Sequence, residues 1–397
     1  MLFSLFGIVF GVAFFVVTQA QTSGFEKFFI RTILGTNGAI RISDKFQDTF
    51  GTVEKVDDKG DSEFYFHSRE DAIYRKGVYQ PEKIKAALVD FPEILGISEV
   101  IEDNAVLDTG SRRLAVSMHG IRWSDHTLTS DLDDKLVYGS SNDFISDKSG
   151  VLLGSRVAQR LNINFGDSLL LVGGTGNIHL KVAGIFETGV SQIDKNRIYI
   201  HYSQASSFLG KSNRASFFQL SLKDPDIATQ LAVQLQSVLN HRVVSWQERE
   251  QVWLDVFKAL RFSSGITVST ILLLSGLGMF NTFAIMVIEK TRDIAILRAL
   301  GFSPADISAV FIWQGLILLF VGTLLGALFG ALLTLGISHL PLRIRGIFSS
   351  DHFVVNWDPW HYIWAIMISA IVVLIACSIP ARRASKIEPA KIIRETL

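Results

Sequence analysis

Apolar and polar positions divide the chain into two regimes. Residues 265–288, GITVSTILLLSGLGMFNTFAIMVI, carry no charge. As a helix rising 1.5 Å per residue they reach roughly 36 Å, enough to cross a ~30 Å hydrocarbon core. A second apolar run, Ile307 to Leu340, would extend roughly 51 Å as a helix and must tilt, break or protrude from a bilayer. The last run, Trp360–Ile379, follows an Asp358–Pro359 cap pair and opens among Trp357, Trp360, Tyr362 and Trp364, the aromatics of a membrane interface. The first, LFSLFGIVFGVAFFVVT at residues 2–18, is long enough for a short span, and Gly7 and Gly11 stand four apart as in close helix packing. A cleaved signal peptide ending near Ala20 competes with that reading. The run is long for one and has no Lys or Arg before it, which favours a retained helix. No residues that would lie in the cytoplasm precede it, so the chain is expected to lack a leading segment.

Between the first two runs, residues 21–262 are charge-rich and long enough to bury a core of their own. Alternation predicts strands at AIRIS (39–43), EFYFH (63–67), Ile97–Ile101, Leu114–Ile121, HLKVAGIF, NRIYIHY, FFQLSL (217–222) and RVVSW. Helices are expected from Pro81 in PEKIKAALVDF, from Ser155 to Leu161, and after Asp224–Pro225, where Asp caps and Pro takes the first turn. QEREQVWLDVFKALRF brings the chain as a helix towards the second apolar run. Residues 122–150 are rich in Ser, Asp and Gly and read as a surface excursion, a flexible loop or subdomain boundary. Strands and helices alternate irregularly, so the class is α+β.

Charge sets the orientation. The hairpin after the second run supplies Lys290, Arg292 and Arg298, and the tail supplies Arg382, Arg383, Lys386, Lys391 and Arg394; the other short loop has only Arg343 and Arg345. Hairpin and tail are therefore expected in the cytoplasm and the polar domain outside. The expected architecture is an α-helical membrane protein with four transmembrane helices plus a large α+β periplasmic domain inserted between helices 1 and 2. Its segments are helix 1 at 1–20, the outer domain in two subdomains at 21–262, helix 2 at 263–288 and the hairpin at 289–304. Helix 3 follows at 305–340, a short loop at 341–359, helix 4 at 360–381 and the tail at 382–397. Net charge is zero, with 38 basic and 38 acidic residues, and gives no sign of a nucleic-acid partner. The lone Cys377 leaves the outer domain without a disulfide.

The hairpin EKTRDIAILRALG carries the candidate chemistry. Ile294, Leu297 and Leu300 or Gly301 recur every three to four residues, and Glu289, Lys290, Thr291, Arg292, Asp293 and Arg298 surround them with polar groups and both signs of charge. A short helix with such a ridge suits docking into a groove of a cytoplasmic partner. An ordinary positive-inside turn is the plainer alternative.

Four stretches, VAGIFETGVSQIDKNRIYI, FNTFAIMVIEKTRDIAILRALGFSPADI, QGLILLFVGTLLGALFG and IPARRASKIEPAKIIRE, resemble permease subunits of ABC transporters of the MacB/FtsX type. The GIFETG…D stretch favours the lipoprotein-releasing branch. The resemblance implies two permeases, identical or homologous, assembled with two cytoplasmic ATPases that use ATP and Mg. It implies that residues 289–301 are the helix coupling permease to ATPase, and that the outer domain moves in response. Membrane lipid and a periplasmic lipoprotein carrier are further implied partners. A MacB-like efflux permease for drugs, peptides or toxins is the alternative within the family, and a membrane-anchored periplasmic sensor or binding module the alternative outside it.

Other motifs are weaker. LGKS (209–212) lacks the glycine a Walker motif needs, since Ala205 stands there, and GGTG (173–176) reads as a turn. The chain is thus not expected to hydrolyse ATP, bind a cofactor or hold catalytic residues. His339, His352 and His361 lack converging ligand spacing, as does Asp125–His126, so no metal site is expected. Gly322, Gly326 and Gly330 line one helix face and pack either within the subunit or against a second permease. Asn281 and Thr282, polar within a span, suit interhelical hydrogen bonds.

Overall fold

The structure is a computed structural model and describes residues 2–44, 53–56, 63–66, 77–79, 81–173, 176–210, 214–239, 241–340 and 353–385. The chain divides into two units. One collects the described residues up to Phe28 and from Val252 onward; the other holds the described residues of Phe29–Gln251.

Among the described residues, four helices are long and apolar enough to cross a membrane. The first, Leu2–Asn37, does not end where the sequence turns polar at Gln21 but continues through Glu26 and Lys27. Those charges have partners: Glu26 accepts from Arg261 Nη2 at 2.6 Å, and Lys27 Nζ donates to Asn356 Oδ1 at 3.1 Å. The second, Gln251–Glu289, joins the predicted approach helix and the predicted span without a break. A short helix, Thr291–Ala299, separates it from the third, Pro304–Ser338, and the fourth runs from Pro359 to Ser385 with Pro380 inside it. Their shared core contains Ile8, Val12, Leu272, Met279, Phe283 and Val373.

The other unit is built on a mixed sheet. Its order, edge to edge, is Arg242–Ser245, Ile40–Ser43, Phe217–Leu222, Ile94–Asp108, Arg113–Ile121, Arg197–His201, Gly150–Gly154, Gly176–Phe186 and Leu136–Gly139. The strand Ser168–Gly173 pairs with both Gly176–Phe186 and Ile94–Asp108. That double pairing closes six strands into a ring, which leaves them no open edge. Ile101, Leu107, Met118, Val151, Leu153, Leu171 and Ile198 belong to the core that this ring organises. The 15-residue strand Ile94–Asp108 makes this possible, because it pairs with Phe217–Leu222 over its first half and with Ser168–Gly173 at its end. Gly150–Gly154 is buried at every position, which explains its continuous apolar sequence, GVLLG.

One expectation changes here. Residues 122–150 are not a loose excursion: they contain the helix Trp123–His126, the edge strand Leu136–Gly139 and the helix Ser141–Ser146 with a capping box between Ser140 and Asp143. Phe144 there is fully buried, which fastens a polar-looking segment to the core. Beside that sheet stand two strand pairs, Val78–Tyr79 with Arg214–Ala215 and Val53–Val56 with Glu63–Phe66.

Candidate functional site

The short helix Thr291–Ala299 is held at both ends. Lys290 Nζ pairs with Asp293 Oδ2 at 3.0 Å in its first turn. At the other end Gly301 adopts φ +98°, a conformation that side chains disfavour. Phe302 N–H then donates to Leu297 O at 3.2 Å and Gly301 N–H to Arg298 O at 3.1 Å, the paired bonds of a Schellman stop. Ser303 caps the next helix within two residues, in a capping box with Asp306 and with Pro304 in the first turn. Sequence LGFSPAD thus fixes a sharp corner by local hydrogen bonds alone.

Burial reorients the predicted ridge. Ile294 and Ala295 are buried, and Ile294 joins the cluster that includes Val287, Ile307, Phe311 and Ala381. Thr291 and Arg298, half-buried, lie on the same side; Arg298 Nη1 donates to Phe302 O at 3.2 Å. Ile294 is therefore an anchor to the rest of the chain and not part of an outward ridge. The exposed apolar face consists of Ile296, Leu297 (38% exposed) and Leu300 (73%), continued past the corner by Phe302 (48%). Glu289, Lys290, Arg292, Asp293 and Gly301 are exposed beside it. Ile296 and Phe302 were missed in the sequence; the three-residue offset from Phe302 back to Ala299 and Ile296 is the signal that would have found them.

The glycines of the third long helix meet the first. A Cβ on Gly322 would stand 2.8 Å from Ile8 Cγ2, on Gly326 2.8 Å from Val12 Cβ and 2.9 Å from Val9 O, and on Gly330 3.1 Å from Ala13 Cα. Gly7 and Gly11 likewise face Ser275 and Leu272 on the second helix. Thr282 Oγ1 accepts from Ser4 Oγ at 2.9 Å, whereas Asn281 is exposed.

No group of three metal-ligating side chains occurs among the described residues. His361 Nε2 lies 2.9 Å from Ser23 Oγ, Asp125 pairs with Lys85 Nζ at 3.3 Å, and His126 Nδ1 lies 3.0 Å from Ser98 Oγ. Burial, aided by the Arg197 charge, pushes the His126 pKa down to about 3, so that ring stays neutral. Lys211 and Ser212 of LGKS, Gly174 and Thr175 of GGTG, His352, Arg343, Arg345, Lys386, Lys391 and Arg394 lie outside the described residues.

The GIFETG…D stretch has a structural basis. Asp194 is fully buried, and its Oδ1 accepts from Thr188 N–H at 2.9 Å and Thr188 Oγ1 at 2.8 Å. Burial raises its pKa, partly offset by those two bonds. The carboxylate thus clasps the turn that leads out of a ring strand.

Comparison with known proteins agrees with this architecture. The MacB-like periplasmic core domain matches residues 1–238, and the FtsX-like permease C-terminal region matches residues 265–389. The lipoprotein-releasing system transmembrane protein LolC of Xylella fastidiosa is 26% identical over 98% of this chain and 92% of its own length. The corresponding LolE of Haemophilus influenzae is 24% identical over 98% of this chain and 93% of its own. The macrolide export ATP-binding/permease protein MacB of Pasteurella multocida is 25% identical, over 54% of this chain and 33% of that protein. With a MacB-like core followed by an FtsX-like permease region, the chain belongs to the MacB/FtsX family of ABC transporter permeases.

Proposed function

We propose that this permease passes ATP-driven motion from a cytoplasmic ATPase to its α/β unit, and that the work releases lipoproteins from the inner membrane. The observation that carries the coupling role is the outward face of Thr291–Ala299, where Leu300 and its apolar neighbours project beside Arg292 and Asp293 while Ile294 fixes the helix to its own bundle. An apolar patch rimmed by both signs of charge suits a groove on a protein partner. Positive-inside counting puts this face in the cytoplasm and the α/β unit in the periplasm. ATP and Mg would be held by the partner ATPase, two copies serving two permeases. The cargo rests on the lipoprotein-releasing relatives, LolC and LolE, which align along nearly the whole chain.

The test is reconstitution with the co-purifying ATPase. Leu297→Asp or Arg292→Glu should lower cargo-stimulated hydrolysis about tenfold, the loss of roughly 1.4 kcal/mol at the contact. A membrane complex that contains no ATPase would overturn the coupling role. The similarity to MacB supports a second reading, export of drugs, peptides or toxins. Crosslinking of the α/β unit to a periplasmic lipoprotein carrier separates the two, because an efflux permease should give no such product.

A further inference from the structure

The exposed surfaces of the long helices are not alike. From Val310 to Leu335 the third helix exposes large apolar side chains alone, and so does the fourth from Trp360 to Ile379. The first exposes only Phe6, Phe10 and Phe14 between Ser4 and Ala20. These faces suit lipid chains. The second helix differs. Within its uncharged stretch Thr267, Thr270 and Asn281 are exposed, and among the described residues they are the only exposed polar side chains in these apolar stretches.

Their spacing is regular. Thr267, Thr270, Leu274, Leu277, Asn281 and Ile288 follow a three–four alternation over three heptads, with half-exposed Ala284 in the place between the last two. A three–four alternation is the spacing that the seam of a left-handed helix pair uses. The two threonine hydroxyls are satisfied within their own helix, by Ser263 O at 3.0 Å and Ile266 O at 2.9 Å. The Asn281 carboxamide has no hydrogen-bond partner among the described residues. In hydrocarbon such a group is costly and turns towards protein.

We propose that this face of the second long helix packs against the same face of a second copy of the chain, with Asn281 paired to Asn281 at the centre. The inference deepens the permease-pair reading given above and rests on it. Two copies inserted in the same orientation are related by a twofold axis along the membrane normal, so a seam on this axis meets itself in register. A carboxamide is donor and acceptor at once, so identical groups satisfy each other reciprocally. A single asparagine in an apolar seam also fixes register and partner number. No aliphatic lipid chain can supply these bonds.

The experiment uses full-length protein in membranes, with Cys377→Ala as background. Single cysteines are placed at Leu274, Asn281 and Ile288, and controls at Leu324 and Ile371. Two differently tagged copies are co-expressed. Oxidative crosslinking should join the two tags at the three seam positions and at neither control. Asn281→Leu should weaken self-association about five-fold, and Asn281→Gln should restore most of it. If the tagged copies co-purify but the seam cysteines do not crosslink, the seam assignment is overturned and the permease pair stands. If the tags do not co-purify, or Asn281→Cys crosslinks to a different polypeptide or to an amphiphilic cargo, a second copy is not the occupant.

Discussion

The two units of this molecule bury apolar side chains by opposite means. In the α/β unit Tyr199, Phe186 and Phe218 are fully enclosed, and removing their surface from water itself stabilises the fold, at about 25 cal/mol per Å². In the helical unit Phe283 is just as buried, but lipid chains are as apolar as the core, so little is gained by leaving them. What holds those helices is close approach, bought at Gly322, Gly326 and Gly330 by the absence of a side chain. The α/β unit should therefore suffer most when large residues shrink, and the helical unit when small residues grow.

The largest expected effect tests the first half of that contrast. Phe218→Ala should destabilise the α/β unit by about 3–5 kcal/mol, and Phe283→Ala should cost clearly less, read by denaturant-dependent proteolysis of the full-length protein. Equal costs would break the comparison. Next comes enlargement. Gly326→Leu must displace Val9 O, a backbone atom, and should cost about 1–3 kcal/mol of stability in detergent, whereas Gly336→Leu, with open space around its Cβ, should be nearly neutral.

Polar contacts sharpen the same contrast at lower amplitude. Asp194→Ala leaves the buried Thr188 N–H and hydroxyl without their acceptor and should cost about 1–3 kcal/mol, seen as new protease cleavage near the 187–190 turn. Thr282→Val removes the acceptor of Ser4 within the helical unit and should cost only about 0.6 kcal/mol, near the limit of a thermal-shift measurement.

The same division explains what could be read from sequence. Local patterns were legible: FFQLSL forms its strand at Phe217–Leu222, the helix Ser155–Leu161 keeps its bounds, and the four apolar runs became the four long helices. Features decided by distant partners were not. Gln21 looked like a helix end because Arg261, which pairs with Glu26, lies far along the chain. Ring closure was invisible because Ile94–Asp108 takes three strand partners, two of them remote. Residues 122–150 looked loose because their apolar residues, Phe144 among them, are scattered between Ser, Asp and Gly without a helix or strand period. The hairpin failed in a narrower way. A nine-residue helix turns only about two and a half times, so apolar spacing alone does not say whether Ile294 or Ile296 faces inward. The bundle settles it by enclosing Ile294.

That reorientation gives the most direct test of coupling. Single cysteines at Ile294, Ile296 and Leu300 in the Cys377→Ala background can be tested, in membranes, for crosslinking to the proposed partner ATPase. The account predicts crosslinks from Ile296 and Leu300 and none from Ile294, with yields that change when ATP is bound. Crosslinking from none of the three, while ATPase and permease remain associated, would contradict the claim that this helix is where motor and permease meet.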